Sequence, residues 1–164
     1  MKRKIRVIAR KLLRRGESPD VSFVPPLVRR RLSPLQKTFF HLARMEGAPQ
    51  PANVVFASRW GEIGVTAKLL LQFHEEGEMS PAGFANSVHN AAPGHFSLLT
   101  GNRAPYTAIA AGDKSYEMGL VEATSLPGKV VFVYAEEATP DFYRPWLGEE
   151  WDASAVAMLI DNDA

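Results

Sequence analysis

Asp113 is the residue of this sequence that is best placed for chemistry. It follows an apolar run, Tyr106–Ala111, and precedes a predicted helix that extends to about Ala123, for which Asp113 would be the N-cap. Free backbone N–H groups gather where a strand turns sharply onto a helix, and many α/β proteins place a nucleophile there. A carboxylate in this position could act as a base, so an enzyme that uses Asp113 is one interpretation of the sequence.

The other common catalytic signatures are missing from the sequence. There is no cysteine, which excludes disulfides, thiolate metal sites and cysteine nucleophiles. There is no Gly-x-Ser-x-Gly elbow, no P-loop and no His-Glu-x-x-His motif. His89 and His95 are expected on different sides of one helix, as hydrogen-bonded packing residues rather than as ligands of a shared metal. Glu136 and Glu137 are expected to form a surface pair at a strand end.

Alternating strand and helix patterns predict an α/β layered domain with a mainly parallel sheet. The expected strands are apolar runs rich in β-branched residues, at Val54–Ser58, Tyr106–Ala111, Lys129–Ala135 and Ala153–Ile160. The expected helices have apolar positions at helical spacing, at Pro34–Met45, Val65–Glu76, Phe84–Leu99 and from Asp113 to about Ala123. In the second of these helices, Leu69, Leu70 and Phe73 are expected to face the core.

The first quarter of the chain is strongly basic. Residues 1–44 contain 13 of the 19 lysines and arginines but only two acids, whereas the remaining residues contain six basic and 16 acidic side chains. The chain is expected to begin as a strand near Ile5–Ile8 and to become helical at Ala9–Arg15. Such a segment suits nucleic acid, an anionic membrane or an acidic protein. Residues 1–16 are therefore either an amphipathic membrane anchor or an element packed on the domain with a solvated basic face.

The length of 164 residues fits one domain with a core of ordinary size. No apolar run approaches the roughly 20 residues that a membrane-spanning helix requires, and the N-terminus lacks the apolar core of a signal peptide. The sequence therefore predicts a cytoplasmic protein without a transmembrane segment.

The segment Ser80–Ala123 resembles the N-terminal half of β-ketoacyl synthases, the condensing enzymes of the thiolase fold. Residues 90–97, Asn-Ala-Ala-Pro-Gly-His-Phe-Ser, are similar to the family's Asn-x-x-x-Gly-His-hydrophobic-Ser helix, and residues 101–105 to its Gly-x-Arg-Gly-Pro turn. Three further motifs are similar to a short ketosynthase-like family: Arg-Arg-Leu-Ser-Pro, Phe-Ala-Ser-Arg-x-Gly-Glu and Ser-Val-His-Asn-Ala. Members of that family are encoded in aryl polyene clusters of Gram-negative bacteria, where one serves as a chain length factor.

This resemblance implies a truncated thiolase-like fold, with a basic segment at residues 1–28 and a ketosynthase-like N-terminal domain at residues 29–164, a single domain overall. It places Asp113 where the family has its nucleophilic cysteine. Condensing enzymes also need two histidines from a C-terminal half, before which this chain ends. Because a carboxylate cannot hold a transferable acyl thioester, the resemblance implies a non-catalytic subunit that helps to set product length. The alternative is an independent acyl-thioester enzyme that uses Asp113.

The resemblance also implies a catalytic ketosynthase as partner, in a heterodimer or heterotetramer. In the family, the strand corresponding to Tyr106–Ala111 lies at the dimer two-fold axis, and a bare apolar edge is an aggregation hazard. The implied interface residues are Tyr106, Thr107, Ala108, Ile109, Ala110 and Ala111. The residues implied to line the end of the partner's acyl tunnel are Phe84, Val88, Ala91 and Ala92. An acyl carrier protein would bind directly or through the partner, and no cofactor, metal or nucleic acid is implied.

Overall fold

A five-stranded sheet forms the centre of the protein, for which the computed structural model describes residues 4–14, 16–147 and 154–164. The strands in chain order are β1 (Arg6–Leu13), β2 (Asn53–Ala57), β3 (Tyr106–Ile109), β4 (Lys129–Glu136) and β5 (Ser154–Asp161). Their order across the sheet is β1-β5-β4-β2-β3, so β1 and β3 are its edge strands. Ala153, the predicted start of the last strand, lies outside the described residues.

Four of the five strands run in one direction. β2 is parallel to both of its neighbours, β3 and β4. β5 is antiparallel to both β4 and β1, so β1 has the same direction as the central strands. The predicted α/β class is confirmed, but the sheet is mixed rather than mainly parallel, because both pairings of β5 are antiparallel.

The helices of the described residues are α1 (Pro26–Arg29), α2 (Pro34–Ala43), α3 (Ile63–Glu76), α4 (Pro81–Ser87), α5 (Ala91–Thr100), α6 (Ser115–Ser125) and α7 (Arg144–Leu147). Among them, none has the length and apolar character needed to cross a membrane. The start of α2 follows from its sequence, because Ser33 and Gln36 form a reciprocal capping box and Pro34 occupies the first helical position.

The two faces of the sheet are covered by different helices. On one face, α2 and α5 bury an aromatic cluster in which Phe39 meets Phe56 and Phe96 edge to face, with ring centroids 5.3 Å and 5.7 Å apart. On the other face, α6 packs over β2 and β4, and the ring of Tyr116 contacts Phe132 at 5.7 Å. Alternating strand residues therefore supply two separate cores, one on each side of the sheet.

The predicted helix Phe84–Leu99 is wrong as a single element. The structure has two helices, α4 and α5, separated by an extended residue at Val88 (φ −70°, ψ 145°). Pro93 explains the break, because a proline inside a helix lacks an N–H group and its ring clashes with the carbonyl four residues earlier. That carbonyl belongs to His89, which lies in the connection. Pro93 therefore occupies the first turn of α5, where it is tolerated.

The predicted helix at Ala9–Arg15 is also wrong, although Arg15 itself lies outside the described residues. The segment is a strand whose pairing with β5 places Arg6 opposite Asp161. Pairing along a strand edge outweighs a weak helix propensity in this segment. The ammonium of Lys11 then reaches α2 and donates a hydrogen bond to the carbonyl of His41 at 2.5 Å. No helical membrane anchor is therefore present in the described part of residues 1–16.

Helix α3 begins two residues earlier than the sequence predicts, and it buries a different set of side chains. Leu69 is buried as expected, together with Ile63 and Ala67. Leu70 and Phe73 are exposed, contrary to the prediction. The reason is that α3 packs mainly on α4 rather than on the sheet, so only part of its apolar surface is covered.

Gly119 permits the close approach of α6 to the sheet. A Cβ atom at this position would lie 2.6 Å from the Cβ of Ala57 and 2.7 Å from a ring carbon of Phe132. Overpacking of this kind costs up to about 3 kcal/mol, which exceeds the gain of about 1 kcal/mol in helix propensity on replacing glycine by alanine. We predict that Gly119→Ala lowers the free energy of unfolding by about 2 kcal/mol in urea denaturation.

The matched control is Glu117→Ala, an exposed change on the same helix, which should alter the free energy of unfolding by less than about 0.5 kcal/mol. Equal stability of wild type and Gly119→Ala would contradict the close packing of α6.

Candidate functional site

The carboxyl ends of three strands meet at one edge of the sheet. Residues 58–62 follow β2, residues 110–113 follow β3, and Glu136 is the last residue of β4. These three strands are parallel, and ligands of open α/β sheets commonly bind outside the carboxyl ends of such strands. The side chains at this edge are therefore the first candidates for a functional site.

Asp113 lies at this edge, but it is not the N-cap that the sequence predicts. Residues 112–114 form a short 3-10 helix, and α6 begins at Ser115. The hydroxyl of Ser115 accepts a hydrogen bond from the backbone N–H of Ala111 at 3.0 Å, so a serine stabilises this turn. The carboxylate of Asp113 instead points outward, with 77% of its side chain exposed.

The carboxylate of Asp113 forms an ion pair with Arg59 of the β2–α3 loop. The guanidinium of Arg59 also stacks over the ring of Trp60, 4.6 Å from its centroid. This stacking holds the arginine at the site and favours its charged planar group. Proton abstraction by Asp113 would require this ion pair to break, so the geometry does not present an isolated carboxylate base.

Glu136 and Glu137 are not the surface pair that the sequence predicts. Glu136 is buried, and its carboxylate accepts hydrogen bonds from the hydroxyl of Ser58 at 3.0 Å and from the backbone N–H groups of Arg59 and Trp60. The half-buried Glu137 accepts a hydrogen bond from the backbone N–H of Gly64 at 2.7 Å. Burial raises the pKa of both carboxyls, and these hydrogen bonds oppose the rise. The two glutamates hold the β2–α3 loop and the start of α3 in place.

Glu62 is a buried acid whose position the sequence analysis missed. Burial raises its pKa to about 7, and the nearby charge of Glu137 adds to the rise. The hydroxyl of Ser33 and the amide of Gln36 lie beside the carboxyl and oppose the rise, but neither carboxyl oxygen has a hydrogen-bond partner of normal geometry among the described residues. The one available signal was the Phe-Ala-Ser-Arg-x-Gly-Glu motif, of which Glu62 is the last residue.

The candidate tunnel residues lie at two depths. Phe84 on α4 and Val88 after it are at the surface, with 57% and 39% of their area exposed. Ala91 and Ala92, at the start of α5, are buried within the protein itself. The structure therefore brings two of the four residues to the surface and buries the other two.

The candidate interface strand is an edge of the sheet. The carbonyls of Pro105 and Ile109 accept hydrogen bonds from the backbone N–H groups of Val54 in β2 and of Ser58, which follows β2. Because backbone groups alternate in direction along a strand, the N–H and C=O groups of Tyr106 and Ala108 point away from β2. The strand is shorter than predicted, since it ends at Ile109, and the exposed residues 110 and 111 follow it.

The two histidines are packing residues, as predicted, although they do not share a helix. Nε2 of His89 lies 2.8 Å from the carbonyl oxygen of Ser58, and Nδ1 of His95 lies 3.5 Å from Oε1 of Gln36. His89 also packs on Phe56. No group of metal-ligating side chains occurs among the residues that the structure describes.

A groove of about 500 Å³ lies between α1 and α5. Its lining is mainly apolar and includes Val28, Phe40 and Leu98, and its charged member is Arg31. Arg31 is the last of three consecutive arginines, so part of the basic first quarter of the chain lies beside an apolar surface.

Comparison with known proteins identifies the family to which this chain belongs. Residues 8–164 match the family model described as β-ketoacyl synthase, N-terminal domain. This chain belongs to that family. The match covers the sheet from residue 8 of β1 onward, the arginine run and the turn that contains Asp113, so the fold is the N-terminal half of a thiolase-like ketosynthase.

The solved structures agree with the ketosynthase fold. A chain in the structure described as a ketosynthase (ApeO) in complex with its chain length factor (ApeC) from Xenorhabdus doucetiae is 28% identical, with a TM-score of 0.78, over 90% of this chain and 64% of that one. The ishigamide ketosynthase/chain length factor is 14% identical, with a TM-score of 0.67, over 89% and 51%. A β-ketoacyl synthase from Burkholderia phymatum STM815 is 9% identical, with a TM-score of 0.68, over 90% and 46%.

The ketosynthase-like chain thus spans between 46% and 64% of the lengths of these three solved chains. The second and third structures support the fold alone because their sequence identity is low. No curated protein matches the chain.

The buried carboxyl of Glu62 makes the stability of the protein depend on pH. Its pKa is about 7 in the folded protein, above the ordinary value of 4.5, so between these values the folded state binds more protons than the unfolded state. Stability contributed by this group is present at low pH and is lost as the pH rises through about 7. We predict that the free energy of unfolding of the wild type falls by on the order of 3 kcal/mol between pH 5 and pH 8 because Glu62 loses its proton. Glu62→Gln stays neutral over this range and should not show that fall.

Urea unfolding of both proteins at the two pH values measures this effect. Glu117→Gln, an exposed change, should keep the pH dependence of the wild type. The same pH dependence in Glu62→Gln and wild type would show that Glu62 is not the group responsible.

Proposed function

We propose that this chain is a non-catalytic chain length factor that forms a heterodimer or heterotetramer with a catalytic β-ketoacyl-ACP synthase. The observation that carries the proposal is the ion pair between Asp113 and Arg59, because the sequence resemblance aligns Asp113 with the nucleophilic cysteine of the family. A carboxylate cannot form a transferable acyl thioester, and here it is already bound to a cation. Condensation is therefore the task of the partner, and this chain contributes shape.

The proposed partner surface is the outer edge of β3. Tyr106 and Ala108 direct their backbone groups away from β2, and the segment Tyr106–Ala111 contains no charged residue. An uncharged edge strand of this kind invites pairing with a strand of another chain. Support for a ketosynthase as that chain comes from the 28% identical structure, which is a ketosynthase in complex with its chain length factor.

The proposed contribution to product length comes from Phe84 and Val88, whose apolar side chains lie at the surface. They would close the far end of the partner's acyl tunnel. Ala91 and Ala92, which are buried, would support this end of the tunnel from within the domain. By the resemblance of its motifs, the complex would act in the cytoplasm in aryl polyene biosynthesis, or in a related type II fatty-acid-like or polyketide pathway.

The proposed acyl carrier protein would bind through its acidic surface. Arg31 lies beside an apolar groove, and the basic first quarter of the chain contrasts with the acidic remainder. Such a surface attracts an acidic partner from a distance and orients it. The carrier protein would meet this surface directly or reach the complex through the ketosynthase.

We predict that co-expression with the ketosynthase of the same gene cluster yields a 1:1 complex in size-exclusion chromatography with mass analysis. Ala108→Pro should weaken that complex at least about tenfold, because it removes an outward N–H group and one interchain hydrogen bond. The control is Ala108→Val, which adds bulk but keeps the donor. The alternative, an independent enzyme, would be favoured by two results together. The chain would stay monomeric in the presence of the ketosynthase, and it would hydrolyse acyl thioesters only when Asp113 is intact.

We predict that the products of the complex change length with the size of two surface residues. Phe84→Ala opens space and should give longer products, whereas Val88→Phe fills space and should give shorter ones. Mass spectrometry of carrier-bound products measures both. Glu117→Ala, an exposed change on α6, should leave product length unchanged. Identical products from all variants would remove Phe84 and Val88 from the tunnel.

A further inference from the structure

We propose that the C-terminal half of α3, through Leu70 and Leu71, is a second contact surface for the ketosynthase subunit. This inference rests on the proposed heterodimer, and it adds a surface that neither the sequence motifs nor the edge strand indicates. The starting observation is that α3 exposes two leucines. The sequence predicts that Leu70 faces the core, and it makes no prediction for Leu71.

One apolar stripe runs along α3 at helical spacing. It contains Ile63, Ala67, Leu70 and Leu71, which lie at i, i+4, i+7 and i+8 and therefore share one face. Ile63 and Ala67 are buried, whereas Leu70 and Leu71 are 44% and 41% exposed. The stripe is thus covered over its first two turns and continues uncovered beyond them. Phe73, next to its end, is 52% exposed.

The covered end of the stripe is held firmly. The backbone N–H of Gly64 donates to Glu137, and Leu69 packs against α4 at Gly83, where a Cβ would lie 2.8 Å from the leucine side chain. Gly77, with φ of 74°, ends the helix in the left-handed conformation that favours glycine. Contacts along its length therefore hold α3 on the domain, and Leu70 and Leu71 keep a defined orientation.

This surface is continuous with the proposed interface. α3 packs on α4, α4 contacts α5, and α5 packs on β3. Phe84 and Val88 lie on this path and are themselves exposed. A subunit that covers Phe84 on α4 would therefore lie next to α3, which packs on α4.

The charges around the surface decide between occupants. Glu75, Glu76 and Glu78 follow the stripe, and the nearby basic side chains are Lys68 and, when protonated, His74. An excess of acids repels nucleic acid, an anionic membrane and an acidic carrier protein. A symmetric contact between two copies of this chain would bring the same acids together. The surface therefore fits a different protein with an apolar patch and a basic rim, and the ketosynthase subunit is the partner that the fold provides.

The test compares full-length variants for binding to the purified ketosynthase by calorimetry. Leu70→Ser combined with Leu71→Ser should raise Kd about tenfold or more, because truncating apolar contacts at an interface costs binding energy. The control is Val121→Ser, which removes an apolar side chain of similar exposure (55%) from α6 and should leave Kd unchanged. Glu75→Lys combined with Glu76→Lys should slow association and weaken its salt dependence.

The outcomes separate the inference from the proposed function. If the leucine double variant is folded by circular dichroism and binds the ketosynthase as tightly as the wild type, the α3 surface is not a contact surface. The proposed heterodimer would be unaffected by that result. Absence of wild-type binding would overturn both. If the wild-type chain self-associates and the leucine double variant is monomeric, the leucines form a contact between copies of this chain. That result would also overturn the assignment of this surface to the ketosynthase.

Discussion

The carboxylate of Glu136 is the constraint on which the arrangement of the candidate site depends. It is buried at the end of β4 and binds the hydroxyl of Ser58 and the backbone of the loop that follows β2. A buried carboxylate is costly unless hydrogen bonds compensate it, so these contacts fix the loop. The loop in turn presents Arg59 to Asp113 and leads into α3. One acid therefore connects the sheet, the ion pair and α3.

The same edge of the sheet combines rigid and exposed parts. Aromatic packing on one face and the close approach of Gly119 on the other leave little freedom to the central strands. Four of the exposed apolar side chains belong to α3, α4 and the residue that follows α4; they are Leu70, Leu71, Phe84 and Val88. Exposed apolar groups on well-supported elements are typical of surfaces that meet a partner.

Local sequence signals predicted the elements whose causes are local. The Ser33–Pro34 start of α2 and the apolar strands β2 and β4 were predictable from capping and β-branched runs. The break before α5 was also encoded locally, in Pro93, but the helical spacing of apolar residues concealed it. The motifs at residues 90–105 indicated the family, because they combine several residues at fixed spacing.

The missed features depend on distant parts of the chain. The strand character of β1 comes from pairing with β5, about 150 residues away in the sequence. The burial of Glu62 and Glu136 comes from α2 and from the β2–α3 loop closing over them. Adjacent glutamates at a strand end look the same in sequence whether water or protein surrounds them. Tertiary packing decided these cases, and local propensity carried no information about it.

The two edges of the sheet differ in a way that limits assembly. β1 carries Arg6, Arg10 and Lys11 along its length, whereas the segment that contains β3 has no charge. Lysine and arginine on an edge strand hinder the addition of another strand. The sheet is therefore open to extension on one side and protected on the other. A strand that paired at β3 would use the single open side of the described sheet in each molecule, so pairing there would give a closed pair and not a continuous fibre.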